Sequence, residues 1–194
     1  MKKTLLFILF IACISAQSGL TFIGGLNMAT IKYNDDDIGD QITVSSNMLV
    51  NVGVEKMVGA MMVGGAFVQR GAKIEMEILG IDVKGSDSYN YLSIYGIYPL
   101  ISQQSFSAFG GLQVGYGIGG MAEIEVAGDS DSEKIDGDAL ALDYGLLLGA
   151  DIMLNANMGI RASYYLGLAD VSKDADSDLN FKNRGLTISI LYKM

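Results

Sequence analysis

The sequence predicts an all-β fold, an eight-stranded antiparallel up-and-down transmembrane β-barrel of the outer-membrane type. Three observations predict it. Apolar and polar residues alternate with period two along much of the chain. Short and long connections alternate between these segments. Half of the residues are hydrophobic although the formal net charge is -9, which indicates that the two kinds of residue occupy separate surfaces.

The chain begins with the organisation of a secretory signal peptide. Two lysines precede an apolar stretch over residues 5–14, and Ala16 ends a small-residue cleavage site. The apolar stretch is well short of the roughly 20 residues of a membrane-spanning helix. We therefore predict a signal peptide over residues 1–16 and a barrel domain over residues 17–194. The alternative is a lipoprotein-type cleavage that leaves Cys13, the one cysteine, lipidated.

Eight alternating segments account for the rest of the chain. From Leu140 to Leu154 every even position is apolar, whereas the odd positions carry mostly small residues and the carboxylates of Asp143 and Asp151. A closed barrel explains this contrast, because one face of each strand meets lipid and the other a crowded lumen. The predicted strands are 18–33, 45–56, 58–75, 88–100, 104–122, 138–154, 157–171 and 181–193.

The connections predict which end of the barrel is which. Three are short, around residues 56–57 and 102–103 and at 155–157. The other four hold all but three of the 22 Asp and Glu residues, and they are 34–44, 75–88, 123–138 and 170–180. We therefore expect short periplasmic turns, both termini in the periplasm, and four long acidic extracellular loops.

Alternation also predicts what fills the lumen. If residues 155–157 form a three-residue loop, Asp151 faces Arg161 on the lumen side. Side chains can fill the interior of an eight-stranded barrel, so a satisfied charge network is favoured over a gate or an ion path. The predicted lumen charge network is Glu55, Arg70, Asp143, Asp151, Arg161 and Lys193.

Side-chain size is expected to follow the two faces. In segment five the inward residues are mostly small, because a narrow barrel has little room: Ser105, Ser107, Gly111, Gln113, Gly115, Gly117 and Gly119. The tyrosines of segments four and seven are expected to lie in an interfacial girdle or to pack in the lumen. A sugar-binding platform is the alternative interpretation.

Composition argues against several function classes. The sequence has no histidine, so no serine can be activated by one, and we predict no enzyme. Carboxylate-only chemistry stays formally open. Nucleic acid is not an expected partner, because the chain has no basic patch.

Two runs of alternating carboxylates suggest a weak Ca²⁺ or Mg²⁺ site, although no resident cofactor is predicted. They lack the glycine and the glutamate that complete a helix-loop-helix calcium loop, so a solvated acidic loop is the simpler interpretation. The residues are Asp129, Asp131 and Glu133 in the first run, and Asp174, Asp176 and Asp178 in the second.

Several stretches resemble successive strands of the PorT-like outer-membrane β-barrel family of Bacteroidetes. They include LTFIGGLNMATIKY, FVQRGAKIE, YNYLSIYGIYPL, AFGGLQVGYGIGG, DYGLLLGADIMLNANMGIRASYYLGLADV and NRGLTISILYKM, and they cover nearly the whole mature chain. The resemblance implies the barrel fold and insertion by the barrel-insertion machinery. Such chains commonly end in an aromatic residue, whereas this chain ends in Met194.

These observations together predict a non-enzymatic integral protein of the outer membrane. We expect a side-chain-filled lumen and a role in envelope integrity or surface interaction, with the lipid bilayer as its environment. Two alternatives remain open. One is a PorT-like accessory factor that works with a protein of a secretion or gliding apparatus. The other is a narrow pore that prefers cations.

Overall fold

A computed structural model describes residues 19–33, 42–78, 81–170 and 181–194. The signal peptide expected over residues 1–16, with Cys13, lies outside the described residues and stays a prediction. Within the described residues, no helix is long and apolar enough to cross a membrane.

Strands make up most of the described chain, and a single 3-10 turn interrupts them at Gly137–Ala139. Every strand pairing is antiparallel. The strands are β1 Leu20–Tyr33, β2 Ile42–Ser45, β3 Asn47–Val58, β4 Met61–Arg70, β5 Lys73–Ile78, β6 Ile81–Ser102, β7 Phe106–Val126, β8 Asp129–Asp136, β9 Asp143–Met153, β10 Met158–Gly167 and β11 Phe181–Lys193.

Eight of these strands close into a ring. The order is β1–β3–β4–β6–β7–β9–β10–β11, and β11 pairs back to β1 from Thr21 opposite Lys193 to Tyr33 opposite Phe181. The ring removes both edges, so each spanning strand has a hydrogen-bonded neighbour on each side, as hydrocarbon requires. The predicted eight-stranded antiparallel barrel is confirmed.

Along the spanning strands the two faces of the ring differ as the alternation predicts. Leu140, which was expected to face lipid, is instead buried beside Gly117, because it precedes β9. Large apolar side chains are exposed on the outside, for example Leu146, Leu148 and Ile152 on β9, where they would meet lipid acyl chains. The inside is a packed core that mixes apolar and polar groups. Its apolar part is Ile23, Ala66, Val68, Tyr95, Ile97, Phe109, Leu147, Tyr165 and Leu191.

Tight turns join strands at one end of the barrel, which we call the turn end. Gly59 has a φ of 63° in the turn between β3 and β4, a left-handed conformation that glycine adopts without strain. Between β9 and β10, the backbone N–H of Leu154 donates to the carbonyl of Met158, and the side-chain oxygen of Asn155 accepts from the N–H groups of Asn157 and Met158. The expected three-residue loop is thus present.

At the opposite end the described sheet continues past the ring, where it forms a wall. The wall consists of β2, β5, β8 and the adjoining parts of β6 and β7, in the order β2–β5–β6–β7–β8. β6 has 22 residues and β7 has 21, about twice the length that a spanning strand needs. We call this end the wall end.

The wall corrects two sequence expectations. Residues 75–88 and 123–138 were expected as long loops, but most of each stretch belongs to a β-hairpin. Both stretches keep a period-two alternation, and a strand continues beyond the membrane wherever its neighbour can still pair with it. The expected loop 170–180 falls outside the described residues except for Asp170, as does most of 34–44.

A β-bulge in β7 marks the base of the wall. Asn90 pairs with Gly119 and Tyr91 pairs with Gly117, so Ile118 is an extra residue in β7. Gly119 has a φ of 130° at this point. The expectation that Gly119 points inward like Gly117 is therefore wrong, because the extra residue reverses the alternation of β7 beyond it.

Candidate functional site

Arg161 joins two carboxylates in the lumen near the turn end. The β9–β10 ladder places it directly opposite Asp151. Its Nε donates to Asp151 Oδ1 at 2.7 Å and its Nη2 to Asp151 Oδ2 at 2.8 Å. Its Nη1 and Nη2 also donate to the two oxygens of Glu55, at 2.7 and 2.9 Å. Both carboxylates are thus held by bidentate contacts, the strong geometry for arginine.

Two aromatic side chains complete this first cluster. The Tyr95 hydroxyl donates to Glu55 Oε2 at 3.0 Å. The Arg161 guanidinium carbon lies 4.8 Å from the centre of the Phe109 ring, within the range of a cation–π contact. Gly64 provides the space for Tyr95, because a Cβ at that position would overlap the tyrosine ring.

A second cluster fills the lumen nearer the wall end, around Asp143 and Arg70. Asp143 is fully buried and accepts from the Tyr165 hydroxyl at 2.8 Å and from Asn183 Nδ2 at 3.1 Å. Arg70 Nε lies 3.1 Å from Asp143 Oδ2, but its N–H does not point at that oxygen, so the contact is an ion pair without a hydrogen bond. Arg70 also stacks on the Tyr165 ring at 3.4 Å from its centre.

A small polar cavity of about 40 Å³ lies between the clusters. Arg70 and Arg161 both line it, together with polar side chains from several strands. Two buried oxygens on its wall, Asn51 Oδ1 and Ser189 Oγ, have no partner among the described residues. A polar cavity of this size has room for one or a few water molecules but not for a ligand.

The sixth residue of the predicted network lies apart from both clusters. Lys193 follows the inward alternation of β11, opposite Thr21, but its side chain is exposed at the turn end. The strand ends there, so an inward residue opens into the mouth of the barrel. The structure thus gathers Glu55, Asp151 and Arg161 in one cluster and Arg70 and Asp143 in the other.

The first carboxylate run lies on an extended strand. Asp129, Asp131 and Glu133 are successive alternate residues of β8, so they lie on one face of the strand with about 6.6 Å between neighbouring positions. Within the described part of the chain, no group of three acidic, histidine or cysteine side chains could hold a metal ion. The second run falls in residues 171–180, outside the described part. A weak Ca²⁺ or Mg²⁺ site stays a prediction.

The tyrosines divide between the two faces. Tyr91, Tyr95 and Tyr165 are buried in the lumen, whereas Tyr98 and Tyr164 are exposed on the outside. Tyr95, Tyr165 and Asn183 were not predicted from the sequence as partners of the buried carboxylates. The alternation could have placed them inside, but only the strand order brings them to Glu55 and Asp143.

The wall carries charged side chains on its outer face, whereas its inner face carries apolar side chains on β5, β6 and β7 and carboxylates on β8. Its outer face, which continues the lipid-facing side of the barrel, contains a hollow of about 490 Å³. Charged and hydroxyl side chains line this hollow, namely Lys73, Glu75, Lys84, Ser86, Glu123, Glu125, Ser130 and Ser132. The inner face, which continues the lumen side, carries the apolar residues of β5, β6 and β7.

Comparison with solved structures shows the fold. Neisserial surface protein A aligns with a TM-score of 0.53 and 11% identity, covering 90% of this chain and 97% of its own. Ail, the attachment invasion locus protein of Yersinia pestis, aligns with a TM-score of 0.54 and 17% identity, covering 92% of this chain and 100% of its own. The chain has the fold of an outer-membrane β-barrel.

This fold and the apolar outer surface place the protein in the outer membrane, with the lipid bilayer as its environment.

No family model matches the chain, and the search of curated proteins found no match. A second structure of Ail, in complex with the heparin analogue sucrose octasulfate, aligns with a TM-score of 0.52 and 17% identity, over 92% of this chain and 100% of its own.

Proposed function

We propose that this barrel is a non-enzymatic, non-conducting protein of the outer membrane that supports envelope integrity or surface interaction. The observation that carries the proposal is the filling of the lumen at two levels by arginine-centred clusters. The wall end is extracellular and the turn end periplasmic, following the usual layout of such barrels. The wall is then a described part of the protein that extracellular molecules can meet.

The lumen clusters support the non-conducting part of the proposal. Arg161 spans from β10 to Glu55 on β3, which is not its neighbour in the ring, so this contact crosses the lumen. A permeating cation would meet two buried guanidinium groups, Arg161 and Arg70, with a cavity of only about 40 Å³ between them. Moving either guanidinium aside would leave buried carboxylates unpaired, which is costly.

The same contacts support the non-enzymatic part. The carboxylates that are buried within the described residues, Glu55, Asp143 and Asp151, accept hydrogen bonds from arginine, tyrosine or asparagine side chains. The whole sequence has no histidine that could serve as a base. Carboxylates that are engaged in this way are poor candidates for proton transfer to a substrate.

Planar-bilayer recording tests the sealed lumen. The refolded mature chain should give no stepwise current, while a general porin added under the same conditions should give the usual steps. Insertion is verified in parallel by flotation of proteoliposomes that contain the same preparation. Discrete current steps from inserted protein would contradict the proposal and favour the cation-preferring pore.

The fold-level likeness to Ail does not suggest a shared polyanion ligand. The wall carries Glu75, Glu123 and Glu125 on its outer face, and these exceed the two lysines Lys73 and Lys84 beside them. A highly sulfated sugar would be repelled by this surface. We therefore expect no binding of sucrose octasulfate to the refolded protein in a calorimetric titration.

The PorT-like resemblance supports a second proposal, an accessory role beside a secretion or gliding apparatus. A deletion strain would separate the two roles. Loss of protein export with an intact outer membrane would favour the accessory role, and sensitivity to detergents with normal export would favour the envelope role.

A further inference from the structure

The inner face of the wall is an apolar surface outside the membrane. It is formed by side chains from four adjacent strands, all of which are partly or well exposed: Val44, Ile74, Met76, Val83, Ile124 and Val126. Ile124 is 54% exposed and Val126 is 41% exposed. Apolar patches that are contiguous and exposed on a protein surface commonly mark interaction sites.

The strand register shows that this face continues the lumen side of the barrel. Paired residues in a ladder point to the same face, and Ile74, Gly85 and Ile124 are paired across β5, β6 and β7. β6 runs without an extra residue from Gly85 to Tyr91, which is buried in the lumen. The apolar side of the wall therefore overlooks the mouth of the barrel, where it is outside the reach of lipid acyl chains.

The apolar face has an acidic border. Asp131 pairs with Ile124 and Asp129 pairs with Val126, and Glu133 follows on the same face of β8. All three carboxylates are exposed. A ligand that covers the apolar face from β5 to β7 would thus place the part of its surface beyond β7 against the three negative charges of β8.

We propose that this inner face binds a cationic amphipathic peptide segment, with its apolar side on Ile74, Val83 and Ile124 and its basic side against β8. The proposal rests on the surface-interaction role above and specifies the partner. The apolar part is about 15 Å wide, from strands about 4.8 Å apart, and a helix of about 10 to 12 Å diameter fits that width. Burial of apolar surface would supply affinity, and the carboxylates would supply orientation and choice of partner.

The test measures binding of a labelled model peptide to the refolded mature chain in nanodiscs of zwitterionic phosphatidylcholine. The probe is a helix of about 15 residues with leucines on one side and lysines on the other, roughly as long as β8. Fluorescence anisotropy should show saturable binding above that of empty nanodiscs. No binding beyond the empty nanodiscs would overturn the proposal.

Two charge variants separate specific binding from general attraction to an acidic protein. The inner variant is Asp129→Asn, Asp131→Asn, Glu133→Gln, and the outer variant is Glu75→Gln, Glu123→Gln, Glu125→Gln. Both remove three negative charges from the wall. We expect the inner variant to weaken binding by about tenfold or more and the outer variant by less than about threefold. Equal losses would overturn the proposal.

A third variant tests the apolar contact at constant charge. Ile124→Ser with Val126→Ser should weaken binding by about tenfold or more, because it removes two exposed apolar side chains of the face. Unchanged binding would show a purely electrostatic contact and would also overturn the proposal. Heat-modifiable gel mobility of each variant shows that the barrel is folded. If the wild-type barrel gives no current in planar bilayers and also binds no peptide, this inference is refuted, whereas the proposal of a sealed lumen still holds.

Discussion

Arg161 illustrates how one residue can hold the lumen together. Its guanidinium reaches Asp151 on the neighbouring strand and Glu55 across the lumen, and four donor contacts saturate most of its capacity. The cluster buries one positive charge against two negative charges, and the Tyr95 hydroxyl supplies a further donor to Glu55. Removing the cation from such a cluster is much more costly than removing the whole cluster.

Arg161→Met is expected to lower the free energy of unfolding by about 3 to 5 kcal/mol, because it leaves Glu55 and Asp151 buried and unpaired. Urea titration of the refolded protein in detergent micelles, followed by circular dichroism, measures the change. The control is the triple variant Arg161→Met, Glu55→Gln, Asp151→Asn, which should recover most of the loss. A single variant as stable as the wild type would contradict the role assigned to this cluster.

Asp87 is a second residue whose environment predicts a measurable effect. It lies in the wall part of β6, beyond the bulge, where burial raises the pKa of its carboxyl and a hydrogen bond from Tyr89 partly offsets that rise. A raised folded-state pKa stabilises the protein at low pH, and this contribution is lost as pH rises through that pKa. The wild type should therefore lose stability as pH rises from acid to neutral. The variant Asp87→Asn has no carboxyl at this position and should not show this loss.

Urea midpoints of the wild type and of Asp87→Asn between acid and neutral pH test this expectation. The difference between the two proteins should grow in favour of the variant as pH rises. Asp82→Asn is a suitable control, because Asp82 lies on the same strand with an exposed side chain. A difference that is constant with pH would contradict the assignment.

The turn between β7 and β8 shows how an element can form in spite of one unfavourable residue. Ala127 has a φ of 53° and Gly128 a φ of 92°, so both central residues of this two-residue hairpin are left-handed. Such turns favour asparagine or glycine at the first position, because a Cβ is strained there. The pairing of β8 along its whole length with β7 offsets this strain.

Ala127→Gly should stabilise the outer end of the wall by up to about 1 kcal/mol, through relief of left-handed strain. Amide hydrogen exchange of β8 measures the effect, and protection should increase. The matched control is Ala122→Gly, which lies in the paired part of β7 and should lower protection, since glycine is unfavourable inside a strand. Equal effects of the two substitutions would argue against a strained turn.

Substitutions at two adjacent glycines of β1 test how tightly the lumen is packed. A Cβ on Gly25 would overlap the Ile188 carbonyl oxygen and Ser189, whereas a Cβ on Gly24 would meet nothing within 4 Å. Gly25→Ala should therefore prevent or slow closure between β1 and β11, and Gly24→Ala should be tolerated. The yield of heat-modifiable protein after refolding measures both. Equal yields would show that the seam between β1 and β11 can adjust.

Closure of the ring is the property that governs the molecule as a whole. The barrel has no free edge in the membrane, so unfolding must break the seam between β1 and β11 or another complete ladder. Among the described strands, the wall adds two edges outside the membrane, β2 and β8. β8 carries five charged residues among eight, which discourages pairing with another chain.

The whole molecule should migrate as a compact species on a cold gel when it is not boiled, and more slowly after boiling, because a closed barrel resists detergent until it is heated. Far-ultraviolet circular dichroism of the same sample should be β-rich. A single band with a helical or disordered spectrum would contradict the fold and every functional statement that depends on it.

The amount that sequence could predict differs between the two lumen clusters. Asp151 and Arg161 could be placed opposite each other because a short turn sets the register of neighbouring strands. Glu55 could be placed inside but not beside Arg161, from which it is separated by 106 positions along the chain. The cation of Arg70 could likewise not be assigned to Asp143 without the order of the strands around the ring.

The sequence by itself determined the barrel, the number of strands in its ring and the inward or outward direction of most side chains, because lipid and lumen impose opposite demands at successive residues of a strand. Only the tertiary structure decided which buried charges meet across the lumen and where β7 has an extra residue. It also decided that two of the acidic connections are β-hairpins that form the wall. These features depend on ladders between strands that are distant along the chain, and alternation within one strand carries no information about its partners.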